Sequence, residues 1–306
     1  MAIQKEIWAA DIAEKLFPDN SYIAQAVNQD MWVDGKTVHL PNAGAVPEVL
    51  RNRSSLPATA TNRTDTINDY DIDEFTSTPN VITDIEEIET SYAKRTSILT
   101  SHSNELNKQI ANWMGYKWAP TAAANFLRTT GSARVANVVG ATGNRKMLAV
   151  GDIVKLRALF DDMDIPADNR NLLLPSHMYN DLLATEWQYL LSLDKAGKAK
   201  LDNGNITMLF GFNIWTRGKN NILTYTNAAT PVPRTPDASA LTTANAAALA
   251  WHKDFVGRAK GDIKIYANED DPTWYGSIFS AMVRAGGKPI YSDATGVAAI
   301  IEDAAA

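Results

Sequence analysis

The sequence contains no cysteine, four histidines and no long apolar run, and each shortage excludes a class of protein. Without cysteine the chain forms neither disulfide bonds nor thiolate metal sites. The histidines His39, His102, His177 and His252 fall in four separate segments, so none has a partner at ligand spacing. No stretch of about 18 apolar residues could span a membrane, and the charged N-terminus is not a signal peptide. We therefore expect a soluble protein made in the cytoplasm, with no membrane partner.

Basic charge is also scarce. Lys and Arg number 29 against 35 Asp and Glu, which gives a net charge of -6. A protein whose main surface grips nucleic acid needs a basic face to neutralise phosphates, so this balance argues against such a protein. The hydrophobic content of 45% is enough to bury a sizeable core.

The stretch "DGKTVHLPN", residues 34–42, contains the last three letters of a phosphate-binding loop. The first glycine of that motif is replaced by Asp30, and the residues that follow are a β-branched run ended by Pro41 rather than a helix. Asp34-Gly35 between apolar residues is instead typical of a β-hairpin. No nucleotide or other cofactor is predicted.

Metal and catalytic motifs are incomplete. Asp69, Asp71 and Asp73 match the first three ligand positions of a calcium loop, but Glu74 and Asn80 stand where that loop requires Gly and Glu. The serine-hydrolase elbow, the zinc-protease helix and the dinucleotide loop are all absent. The sequence therefore predicts no metal ligand and no catalytic residue.

Periodicity predicts an α+β fold with antiparallel strands. Residues 5–17 predict a short amphipathic helix that carries Trp8 and Phe17. A longer helix is predicted from a cap at Thr90 or Ser91 to a stop at Gly115. Its apolar stripe includes His102, for which we expect a packing role with satisfied hydrogen bonds. Further helices are predicted after Gly151 and after Pro175, with a buried strand at 172–174.

Residues 41–90 differ from the rest in being polar and extended. "TDTINDYDIDEF" alternates Asp69, Asp71 and Asp73 on one side with Tyr70 and Ile72 on the other, which predicts a strand with little to bury on either face. About 50 residues without a core favour an arm over a compact domain. Because it has no core, we expect this arm to be ordered only by lying on other copies of the chain.

The charges of this arm are segregated. Its first limb carries Arg51, Arg53 and Arg63, whereas residues 65–89 contain no Lys or Arg and nine acids: Asp65, Asp69, Asp71, Asp73, Glu74, Asp84, Glu86, Glu87 and Glu89. Two interpretations remain open. The arm is either a solvated, solubility-giving segment or a hairpin whose charged edges meet complementary patches on other copies of the chain.

This order of parts resembles the major capsid proteins of tailed bacteriophages, with the Hong Kong 97-type fold. The more specific pieces are "NRNLLLPSHMYNDLL", "AALAWHKDFVGRAKG" and "GSIFSAMVRAGGKPIYSDATGVAAI". The resemblance implies an N-terminal arm (1–33), an extended loop (34–90), a spine helix with its connection (91–149), an axial domain (150–244) and peripheral-domain strands (245–306).

The resemblance also implies a function. Such proteins assemble as hexamers and pentamers into an icosahedral shell that encloses double-stranded DNA without sequence-specific binding. The candidate inter-subunit contacts are Trp8, Phe17, Arg51, Arg53, Arg63, Asp69, Asp71 and Asp73. A separate scaffolding protein, a portal and decoration proteins are candidate partners, and the expected location is the virion, after synthesis in the cytoplasm of a host bacterium.

One departure and two alternatives matter. Some relatives cross-link a loop lysine to a distant asparagine, but no lysine lies between Lys36 and Lys94, so we expect no such bond. The first alternative is an encapsulin-like compartment loaded with protein. The second is a hydrolase that uses Asp161, Asp162 and Asp164, for which a solvated helix end is the simpler explanation.

Overall fold

The computed structural model of the chain describes residues 21–44, 49–53, 60, 62–83, 93–195, 199–202, 205–218 and 222–305. These residues combine helices and sheets, which confirms the α+β class. No helix within these ranges is long and apolar enough to cross a bilayer. Several predictions concern residues outside them, namely those on Trp8, Phe17, Thr90, Ser91, Asp84, Glu86, Glu87 and Glu89.

The described part of the chain contains three α-helices: α1 (Ala93–Lys117), α2 (Val150–Asp162) and α3 (Ser176–Lys195). α3 begins directly after Pro175, as predicted. The predicted stop at Gly115 is wrong, because α1 continues to Lys117. Trp118, just beyond it, is fully buried and its Nε1 donates to the Gly257 carbonyl at 3.0 Å, so tertiary packing holds the helix together past the glycine.

Twenty strands form four sheets within the described ranges. The first ten are β1 (Val27–Asn28), β2 (Val33–Asp34), β3 (Thr37–Asn42), β4 (Thr66–Asp71), β5 (Asp73–Thr76), β6 (Asn80–Thr83), β7 (Phe126–Arg128), β8 (Ala133–Val135), β9 (Asn144–Lys146) and β10 (Arg170–Pro175). The others are β11 (Ala199–Asp202), β12 (Asn205–Leu209), β13 (Phe212–Arg217), β14 (Leu223–Tyr225), β15 (Pro233–Arg234), β16 (Asn245–His252), β17 (Val256–Asp271), β18 (Gly276–Pro289), β19 (Val297–Ile301) and β20 (Ala304–Ala305).

The largest sheet is covered on both faces. Its order is β11-β12-β13-β10-β16-β14-β15, with β19 beside β16 and β7 beside β19. In β16, Ala246, Ala248 and Ala250 face the core that contains α2 and α3, whereas Leu249 and Trp251 face the core that contains α1. All eight residues of β16 are buried, because helices pack against both sides of the strand.

The same sheet contains strands from both sides of the domain boundary that was expected at residue 244. β16 and β19 lie after residue 244, yet β16 pairs antiparallel with β10 and β19 pairs with β16. The expected boundary between the axial domain and the peripheral strands therefore falls inside one continuous sheet. Strands from the C-terminal part of the chain contribute to both cores.

The spine helix, α1, packs against a second sheet. Its order is β1-β17-β18-β5, and β6 also pairs with β18. α1 packs on β18 at a point where the backbone is very close, since a Cβ added at Gly287 would lie 2.7 Å from Trp118 Nε1 and 3.0 Å from Met114 Sδ. Two small sheets complete the fold, β2-β3-β4 and β20-β9-β8.

Candidate functional site

The polar arm begins as a two-stranded ribbon, formed by β3 and by residues 66–72. The turn before it is the predicted hairpin: Asp34 pairs with Thr37, and Gly35 has a φ of +60, which favours glycine. We call residues 43–65, which connect β3 to β4 in the sequence, the distal segment. The ribbon and the distal segment hold most of the candidate contact residues.

One face of the ribbon is buried, so the prediction of little to bury on either face is wrong. Val38 and Leu40 of β3 pack with Tyr70, Ile72 and Ala259, and each is at most 8% exposed. The strand that pairs with residues 66–71 supplies the apolar neighbours that the alternating sequence alone did not indicate. The ribbon therefore has its own small core.

Hydrogen bonds fix the ribbon to the end of β18. Asn68 Nδ2 donates to the carbonyls of Pro289 and Ile290 at 3.1 and 2.9 Å. Lys288 Nζ donates to Asn68 Oδ1 at 2.5 Å, and Asn42 Nδ2 donates to the Ile290 carbonyl at 3.0 Å. The idea that the whole arm is ordered only by other copies is therefore wrong for the ribbon, because its own chain holds it.

The three acids predicted as inter-subunit contacts lie in two different sheets. Asp69 and Asp71 lie on the exposed face of the ribbon, where His39 Nδ1 is 2.9 Å from Asp69 and Thr37 Oγ1 donates to Asp71 at 3.0 Å. Asp73 does not share their face, because the chain leaves the ribbon at Ile72 and joins β18 as β5. Its carboxylate accepts from Trp113 Nε1 at 2.6 Å and pairs with Lys117 Nζ at 2.9 Å.

The candidate arginines also differ. Arg63 Nε lies 2.6 Å from Asp65 Oδ1, which also accepts from the Gly44 amide at 2.8 Å. The hydrogen bond from Arg63 lowers the pKa of Asp65. Arg51 and Arg53 are exposed and form no ion pair with any residue that the structure describes. They follow two exposed apolar residues, Val49 and Leu50.

A groove of about 570 Å³ runs along α1. Its floor is apolar, with Leu106 of α1 beside Phe75 and Trp113, whose rings meet edge to face at 6.3 Å. Glu74, Glu105 and Asp237 supply carboxylates, and no Lys or Arg occurs among the described residues that line it. The groove therefore combines an apolar floor with an acidic rim. We call it the spine groove.

His102 lines the spine groove and is 9% exposed. Burial lowers its pKa, so the ring is neutral near pH 7. Its packing role is as expected, but its expected hydrogen bonding is wrong, because Nε2 has no partner among the described residues. A buried ring nitrogen without a partner is costly unless something else supplies one.

Clusters of metal-binding side chains are not found within the described ranges. No set of three or more His, Asp or Glu side chains there could hold a metal ion. Asp161 pairs with Arg170 Nη2 at 2.7 Å and with Arg157 Nε at 3.6 Å, which is the arrangement of a solvated helix end. Asp162 and Asp164 are exposed.

The groove residues Glu105 and Asp237 were not singled out from the sequence. Glu105 stands on the polar face of a helix and Asp237 in a loop of small polar residues, and each is locally an ordinary solvated acid. Tertiary packing brings them together, so no local pattern could have identified them.

The sequence matches no protein-family model. It also matches no curated protein. The fold, however, matches solved structures over nearly its whole length.

The capsid of Ralstonia phage GP4 is similar with a TM-score of 0.63 and 12% identity, over 92% of this chain and 88% of that chain. The capsid of the cyanophage P-SCSP1u is similar with a TM-score of 0.61 and 19% identity, over 90% of this chain and 85% of that chain. The virus-like particle from Pyrococcus furiosus is similar with a TM-score of 0.54 and 10% identity, over 97% of this chain and 99% of that chain. The chain therefore has the fold of bacteriophage capsid proteins, as the resemblance implied.

Proposed function

We propose that this chain is a major capsid protein that assembles as hexamers and pentamers into an icosahedral shell around double-stranded viral DNA. The observation that supports the proposal is the extent of the structural match, which covers 90–92% of this chain rather than a single shared motif. A function carried by surfaces over the whole subunit agrees with a fold match of this length. The protein then resides in the virion after synthesis in a bacterial host.

The exposed apolar residues also support assembly. Met31 and Val49 are more than 90% exposed, and Ile67 on the outer face of the ribbon is 70% exposed. Isolated exposed apolar residues are ordinary, but these three lie near or along one arm. Contacts between copies would cover such residues in a shell.

The alternative is a protein compartment that encloses proteins instead of DNA. The match to the Pyrococcus furiosus virus-like particle supports this alternative, since it covers 97% of this chain. The two functions differ in what the shell contains. Scaffolding, portal and decoration proteins are partners of the capsid function only.

Negative-stain microscopy of the purified full-length protein tests assembly. We expect closed, uniform shells, first from native particles and then from the chain expressed alone or with its scaffold. Native particles that lack this chain in their shell, or a chain that stays monomeric under every assembly condition, would contradict the proposal. Nuclease-protected double-stranded DNA in native particles supports the capsid function, whereas packaged protein without DNA supports the compartment.

A turnover screen of the purified subunit tests the hydrolase alternative. We expect no ester, amide or glycoside hydrolysis above that of the Asp161→Asn variant. Turnover that this substitution abolishes would contradict a purely structural role.

A further inference from the structure

We draw no further inference here: the strongest candidate, the surface patch formed by the exposed rings of Trp274 and Tyr275 at the turn between β17 and β18, carries no proposal because nothing in the described part of the structure shows what covers it.

Discussion

Glu302 is a carboxylate with no exposure to solvent, and the surrounding side chains keep it charged. It accepts hydrogen bonds from Arg134 Nη2 and from the Ala246 amide at 3.1 Å, and His177 Nε2 lies 3.1 Å away. Burial alone would raise its pKa, but the hydrogen bond with His177 and the charge of Arg134 hold the pKa below the ordinary value of 4.5. This cluster connects β8, α3 and the end of β19.

A substitution of Glu302 should change how stability depends on pH. The folded pKa lies below the unfolded value, so the stabilisation by the carboxylate is fully present above about pH 4.5 and is lost as the pH falls through the folded pKa. We expect E302Q to lower the free energy of unfolding by about 1.5–3 kcal/mol at pH 7, because Arg134 loses one of its two carboxylate partners and keeps only Asp181, at 3.0 Å. The difference from the unsubstituted chain should shrink as the pH falls below 4.5.

Urea unfolding of the unassembled subunit, followed by tryptophan fluorescence at several pH values, measures this effect. D162N removes an exposed carboxylate and should unfold like the unsubstituted chain. A pH-independent difference for E302Q would contradict the assigned charge of Glu302.

The spine helix shows how packing overrides local propensity at the scale of an element. Gly115 stands inside α1 with nothing within 4 Å of an added Cβ, whereas Gly287 of β18 lies against Trp118 and Met114. Gly115 weakens the helix although a side chain would fit at that position. Gly287, in contrast, is required because helix and sheet approach closely there. Two glycines near one interface therefore have opposite roles.

The variants G115A and G287A should consequently have opposite effects. G115A should raise the free energy of unfolding by about 0.5–1 kcal/mol, because alanine favours the helix. G287A should lower it by about 1–3 kcal/mol, because its Cβ would lie 2.7 Å from the Gly257 carbonyl and from Trp118 Nε1. Thermal unfolding of both variants measures this, and a stabilising G287A would refute the close packing of α1 on β18.

The distal segment matters at the scale of the whole molecule, because its described residues, apart from the half-buried Gly44, are exposed in the single subunit. Arg51, Arg53 and Arg63 carry its positive charge, and only Arg63 has an ionic partner among the described residues. Weak contacts of this kind become decisive when many copies repeat them in a closed assembly. The segment should therefore differ in accessibility between the free subunit and a shell.

Limited trypsin digestion followed by mass spectrometry should detect that difference. We expect rapid cleavage after Arg51 and Arg53 in the unassembled subunit and protection of both bonds in assembled particles. Heat-disrupted particles serve as the control and should regain the cleavage. Equal cleavage rates in subunits and intact particles would show that assembly leaves the segment uncovered.

Local patterns in the sequence determined the spine helix, the Asp34-Gly35 hairpin, the buried strand before Pro175 and the order of parts, because each depends on neighbouring residues with a period of 3.6 or 2. Tertiary structure decided the rest. The ribbon has a core because β3 and β17 supply apolar partners for Tyr70 and Ile72, and Asp73 leaves its expected face because the chain changes sheets after Ile72. The spine groove exists only where α1, β5 and a distant loop meet, and contacts between residues far apart in sequence leave no local signal.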